Sequence, residues 1–167
     1  MNKLIGPLLL AVLLLAGCKS RNEVDSANLQ RREDQIIREY LADKNIQAER
    51  DPSGIYFRIL APSNTNVKPQ AFDTVSVKYT GTVLYGKVFD TTKFTDTPAR
   101  LVLNNTIPGW QVMLPQMQQG ERRELYIPST LAYGGSGQSD RNTGRLIIPP
   151  NSILVFEVEL ISLSRRQ

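Results

Sequence analysis

The chain has 167 residues, carries 20 Lys and Arg against 16 Asp and Glu for a net charge of +4, and contains no histidine and one cysteine, Cys18. The missing histidine removes the usual general base, the Ser-His and Cys-His nucleophile arrangements and most zinc sites, and a single thiol leaves no intrachain disulfide. The small positive surplus makes no case for nucleic acid, and no nucleic-acid partner is expected.

Residues 1–17 read as a signal segment. Lys3 precedes an apolar stretch of 13 residues, Leu4 to Ala16, the length of a signal-peptide core and short of the ~20 needed to span a bilayer. It ends Leu15-Ala16-Gly17-Cys18, which resembles the bacterial lipobox, in which the thiol is acylated and the cysteine becomes the new N-terminus. The competing reading is an ordinary signal peptide with a stray cysteine. Lipid attachment at Cys18, where each buried CH₂ is worth ~0.8 kcal/mol, would hold the protein to a membrane of the cell envelope, facing the periplasm or the exterior. Lys19 and Ser20 do not resemble an inner-membrane retention signal. Residues 18–27 are polar and read as a tether.

A helix is expected from Ser26 or Ala27 to Lys44, within an N-terminal helical segment spanning 28–50. Leu29, Ile36, Ile37, Tyr40 and Leu41 share one face of a 3.6-residue period. That face either packs on the chain's own domain or makes a homodimer through residues 28–44. The arginine pairs at 31/32, 122/123 and 165/166 read as solvated charge.

The remainder, 51–167, reads as one domain. Asp51-Pro-Ser-Gly54 is a turn that launches a strand from Ile55 to Leu60. Residues 62–69 form a polar loop. From Asp73 the period becomes two, with Val75, Val77 and Tyr79 opposite Thr74, Ser76 and Lys78. The alternation recurs, less cleanly, as Arg123, Leu125 and Ile127 against Arg122, Glu124 and Tyr126. It closes with Leu154, Phe156, Val158 and Leu160 against Glu157 and Glu159. Half-polar strands of this kind fit an antiparallel sheet with one wet face. Between them Trp110, Met113, Leu114 and Met117 mark a short helix that packs on the sheet, limited by Pro115. The fold class is α+β, an antiparallel sheet wrapped around one short helix and preceded by an N-terminal helix.

Short signatures run through this domain in a fixed order: Val75-Ser-Val77-Lys-Tyr79-Thr-Gly81, Gly86-Lys-Val-Phe89-Asp90, Ile107-Pro-Gly109-Trp110, Gly120-Glu-Arg-Arg-Glu-Leu125-Tyr-Ile127-Pro128, Leu131-Ala-Tyr133-Gly134 and Ile148-Pro-Pro-Asn-Ser152 with Leu154-Val-Phe156. Each is weak alone. Together, from Val67 to Ser164, they resemble the FKBP-type peptidyl-prolyl cis-trans isomerases, and the whole chain resembles a bacterial lipoprotein form of that family. The resemblance implies a curved antiparallel sheet of five or six strands around a short helix. It implies isomerisation of Xaa-Pro bonds in exported proteins, proline-containing polypeptide clients, macrolide ligands as a second ligand class, and no cofactor or metal. It assigns catalytic positions to Tyr79, Phe89, Asp90, Ile107, Trp110, Tyr133 and Phe156, and substrate-binding positions to Leu101, Thr106 and Ile148. Trp110 would floor the pocket, Asp90 would stand at its rim, and the Ile107 N–H and Tyr133 hydroxyl would bond substrate carbonyls. Taken singly, each aromatic reads as core and Asp90 as a turn residue.

The chemistry suits the composition. Rotation about an Xaa-Pro bond is slow because it breaks amide resonance, a barrier of ~18–20 kcal/mol. The twisted transition state separates less charge than the planar amide, so a water-poor apolar pocket disfavours the planar form more. No histidine or thiol is required. Two readings compete with the enzyme: a chaperone or assembly factor with weak or no isomerase activity, and a structural envelope lipoprotein. The chain departs from the family at Ala99 and Leu101, which thin one wall, and in a long polar loop from Gly134 to Leu146, read as mobile or as a segment that orders on a client.

Overall fold

A computed structural model describes residues 21–93, 95 and 97–165, with side chains from Asp25 onward. The signal segment expected over residues 1–17, and Cys18 with it, lie outside the described residues.

Helix α1 (Arg21–Asp43) already includes the residues before Ser26 and Ala27, so the described part of the polar stretch 18–27 is helical. Polarity does not oppose a helix there, because Arg and Glu are good helix formers and acids near an N-terminus suit the helix dipole. Its other end is a Schellman cap. Asn45 takes φ 51°, its N–H donates to Ala42 O at 3.0 Å, and the Ile46 N–H donates to Leu41 O at 2.8 Å.

The strands are β1 (Glu49–Arg50), β2 (Tyr56–Ala61), β3 (Thr74–Val83), β4 (Val88–Thr91), β5 (Ala99–Val102), β6 (Arg122–Ile127), β7 (Gln138–Ser139), β8 (Leu146–Ile148) and β9 (Leu154–Ser164). Seven of them form one sheet in the order β1-β2-β6-β9-β3-β4, with β5 also beside β3. All pairings are antiparallel. The count exceeds the five or six that the resemblance implies, and the two-residue β1 at the edge contributes to the excess.

Helix α2 (Pro108–Met113) lies on the inner face. It passes into a 3₁₀ turn, Leu114–Gln116, where Pro115 has no N–H to continue the α pattern. Trp110, Met113, Leu114 and Met117 pack with Val75, Val77, Leu125, Ile127, Leu154, Val158 and Leu160 in one core.

The outer face is not uniformly wet. α1 covers part of it, and Ile37, Leu41, Tyr56, Leu84, Tyr126 and Ile153 form a second core there. Full burial of an Ile or Leu side chain stabilises by about 1.5–3 kcal/mol, which is how an amphipathic helix stays docked. This explains the uneven alternation in β6, since Tyr126 turns outward into that second core. Arg123 corrects the reading of the arginine pairs as solvated: it is 7% exposed, pairs with buried Glu121 and lies 5.0 Å from the centre of the Phe57 ring.

The Gly134–Leu146 loop is also more ordered than its composition suggests. β7 and β8 pair as a hairpin, and Asp140 Oδ1 accepts the N–H groups of Asn142 and Thr143 at 2.9 and 2.7 Å. Those bonds hold the Asp140 carboxyl below its ordinary range. Gly137 has φ 63°, and a Cβ there would lie 2.3 Å from Ile148 O, so only glycine closes the hairpin against that carbonyl.

A candidate active-site cleft

Tyr79 stands where β3 changes neighbours. β5 pairs with Thr74–Val77 and β4 with Thr80–Thr82. In the gap Thr92 takes over the backbone of Tyr79: Thr92 Oγ1 accepts its N–H at 2.8 Å, and the Thr92 N–H donates to Tyr79 O at 2.9 Å. The break in strand pairing leaves room for a cleft of about 420 Å³ above α2.

Four rings build it. The first turn of α2 sets Trp110, 3% exposed, edge-on to Tyr79 at 5.2 Å and to Phe156 at 5.3 Å. Phe89 meets Phe156 edge to face at 5.6 Å and 87°. Such pairs add about 0.5–1.5 kcal/mol each beyond burial. Gly81 permits the Phe89–Phe156 contact, because a Cβ there would lie 2.6 Å from Phe89 Cζ and 2.8 Å from Phe156 Cε1. The indole Nε1–H of Trp110 is buried with no hydrogen-bond partner among the described residues.

The polar groups sit at the rim. Asp90 is exposed, and its Oδ2 accepts the Tyr79 hydroxyl at 2.5 Å. Burial, then the hydrogen bond to Asp90, pushes the Tyr79 hydroxyl far above its ordinary value. Burial, then the charge of Asp90, raises Tyr133 as well. Both tyrosines therefore remain neutral O–H donors through the neutral pH range. The Tyr133 hydroxyl and the Ile107 N–H make no hydrogen bond among the described residues. The turn before Ile107 is held firmly: Gln111 Nε2 donates to Asn104 O at 3.1 Å and Thr106 O at 2.7 Å, and Thr106 Oγ1 donates to Leu103 O at 2.6 Å.

Of the residues assigned from sequence, Tyr79, Phe89, Asp90, Leu101, Thr106, Ile107, Trp110, Tyr133 and Phe156 border the cleft. Ile148 does not. It is 2% exposed and buried in the core that also holds Trp110 and Phe156, while its β8 neighbours Leu146 and Ile147 face solvent. Asn105, Pro108 and Ala132 border the cleft and were not singled out. Their only signal is adjacency, to Thr106, Ile107 and Tyr133. Chemically the arrangement is an apolar recess with two unengaged donors at its edge and one carboxylate.

A family model described as FKBP-type peptidyl-prolyl cis-trans isomerase matches residues 65–161. The outer membrane protein MIP of Legionella longbeachae is 40% identical over 114 residues, 68% of this chain and 46% of that protein. The FKBP-type peptidyl-prolyl cis-trans isomerase FkpA of Aeromonas hydrophila is 31% identical over 147 residues, 88% of this chain and 51% of that protein. The chain thus spans about half the length of these curated relatives. A crystal structure of a peptidyl-prolyl cis-trans isomerase from Pseudomonas syringae superposes with a TM-score of 0.65 at 32% identity, over 89% of this chain and 100% of that one.

Proposed function

The chain belongs to the FKBP-type peptidyl-prolyl cis-trans isomerases, and from that membership we propose that the Trp110 cleft accelerates rotation about Xaa-Pro bonds in polypeptides outside the cytoplasm. The observation that carries this reading is the cleft itself: four aromatic rings around an apolar recess, with the Ile107 N–H and Tyr133 hydroxyl unengaged at its edge.

A prolyl ring seated over Trp110 has its imide in a water-poor setting. The planar, charge-separated imide is disfavoured there more than the twisted one. The Ile107 N–H and the Tyr133 hydroxyl donate to carbonyls flanking the proline and hold the chain while the bond turns, an interaction that counts where it strengthens in the transition state. Asp90 orients Tyr79 and keeps its hydroxyl occupied, so that ring acts as wall. No bond to the protein forms and no proton leaves the substrate. On β5 the cleft wall is Leu101 alone, since Ala99 does not border the cleft, and that slim wall favours tolerance of a bulky residue before proline.

Lipid attachment at Cys18 and a place in the cell envelope are part of the proposal. The signal segment supports them, as does the name outer membrane protein carried by the Legionella relative. Homodimerisation through 28–44 draws support from the amphipathic pattern alone, and Ile37 and Leu41 are already buried on the chain's own sheet. Macrolides fit the same recess as a competing ligand class. A second reading, client holding with little catalysis, is favoured by one feature: the hairpin ends in exposed Leu146 and Ile147.

The test is cis-to-trans relaxation of short Xaa-Pro peptides, with Xaa varied, for wild type, Asp90→Val and Tyr133→Phe. Wild type should exceed the uncatalysed rate and both variants should fall below wild type. Relaxation no faster than buffer for every peptide would sink the isomerase reading. Faster refolding confined to a proline-free client would replace it with the holding role.

A further inference from the structure

Helix α1 carries a carboxyl where an apolar residue would be the simpler choice. Glu33 is 3% exposed on the face that docks against the domain. Its Oε2 accepts the Ser129 N–H at 3.0 Å, across 96 positions of sequence. Its Oε1 and the Ser129 Oγ are both buried and without a hydrogen-bond partner among the described residues. Burial pushes this carboxyl above its ordinary value, against the opposing pull of Ser129 and Arg32. A carboxyl left half-satisfied out of water opposes folding. The apolar contacts of Ile37 and Leu41 already dock the helix, so stability alone does not account for Glu33.

What Glu33 touches does account for it. Ser129 opens the 3₁₀ turn Ser129–Leu131, which follows β6 through Pro128 and runs directly into Ala132 and Tyr133 at the cleft. Inside the turn, the Leu131 N–H bonds Pro128 O at 3.0 Å and the Ala132 N–H bonds Ser129 O at 2.9 Å. The Ser129 N–H has no acceptor within the turn, and α1 supplies one. The other side of the turn lies against α2, where a Cβ on Gly109 would come within 3.2 Å of Leu131 O. The segment carrying Tyr133 is therefore held between α2 and α1, and its fastening on the α1 side is Glu33.

We propose that Glu33 is a positioning residue for the cleft: its hydrogen bond to Ser129 holds the turn that sets Tyr133, which makes the N-terminal helix a working part of the isomerase. This rests on the isomerase reading above.

Full-length protein would be compared as wild type, Glu33→Gln, Glu33→Leu and Ser129→Pro, the last deleting the same bond from the donor side. Three quantities are read: kcat/KM on Xaa-Pro peptides, exchange protection of the Ser129 amide, and the chemical shifts of the Tyr133 ring. Glu33→Gln keeps an acceptor and should stay within about twofold of wild type. Glu33→Leu should lose Ser129 protection, move the Tyr133 resonances and lower kcat/KM roughly five- to tenfold, mainly in kcat. Ser129→Pro should show the same resonance change and loss, which serves if Glu33→Leu does not fold. In a Tyr133→Phe background the loss should largely vanish, because coupled residues do not add. An unchanged kcat/KM in Glu33→Leu or Ser129→Pro, or a full loss persisting with Tyr133→Phe, overturns the inference. If wild type turns over no peptide, the isomerase reading fails, while the Ser129 and Tyr133 signals still report whether α1 sets the turn.

Discussion

Two tyrosine–carboxylate pairs stand on opposite faces of one sheet. On the inner side the Tyr79 hydroxyl donates to Asp90 at 2.5 Å beside an open cleft. On the outer side the Tyr126 hydroxyl donates to Glu124 at 2.7 Å, with Tyr126 fully buried beneath α1 and Glu124 paired with Arg58 at 2.6 Å. In both, burial first and the carboxylate second push the phenol well above its ordinary value. The local chemistry is the same. The difference lies in what surrounds it: one ring borders an open cleft, and the other is enclosed by Tyr40, Tyr56 and Ile153. A perturbed tyrosine therefore points to a site only where the packing around it has been left open.

If that contrast is right, mutations on the two faces should separate stability from turnover. The largest effect is expected from Tyr126→Ala, which empties a buried site and should destabilise by about 3–5 kcal/mol in denaturant unfolding, while kcat/KM per folded molecule stays within twofold of wild type. A large fall in turnover at full folding would break the contrast. Trp110→Ala acts on the inner core and the cleft together, and should lose a similar ~3–5 kcal/mol with nearly all activity in the peptide assay.

Asp90→Ala comes next, with kcat/KM lowered roughly tenfold and stability changed by no more than about 1 kcal/mol, because an exposed hydrogen bond is worth little to folding. Tyr126→Phe is its mirror image. Losing the Glu124 bond should lower stability by about 1 kcal/mol and leave turnover untouched.

The smallest effect expected is that of pH. The proposed roles of Tyr79 and Tyr133 need neutral phenols, and burial and Asp90 push both above the ordinary 10.0. A raised phenol value extends the neutral form upward, so activity and the stability tied to these groups are present below about pH 10 and lost only above it. With no histidine in the chain, kcat/KM should be flat from about pH 6 to 9. A bell-shaped profile in that window would mean that a group outside this description carries the reaction.

The inner face is legible in the sequence because its constraints are local and ordered along the chain. The period-two strands, the Ile107-Pro-Gly-Trp110 helix start, the Pro115 stop and the Phe89-Asp90 pair each appear in a short window, and nine of the ten assigned site residues with described structure border the cleft. The tenth, Ile148, assigned by resemblance, is turned inward into the core by its hairpin, while Ile147 stays at the surface. Arg123 and Tyr126 were misleading for a related reason. A polar residue in an apolar column, or the reverse, makes sense only once Glu121 and α1 are in place.

The amino-acid order by itself determined the family, the α+β class, the short inner helix and the aromatic set of the cleft, since hydrophobic period and backbone-breaking residues act over a few positions. Only the tertiary structure decided that α1 folds back onto the outer face, that the glycine-rich loop is a capped hairpin, and that Glu33 reaches Ser129 across 96 positions. Those contacts join segments far apart in the chain. Their strength depends on how well two surfaces exclude water, and no window of sequence contains both surfaces.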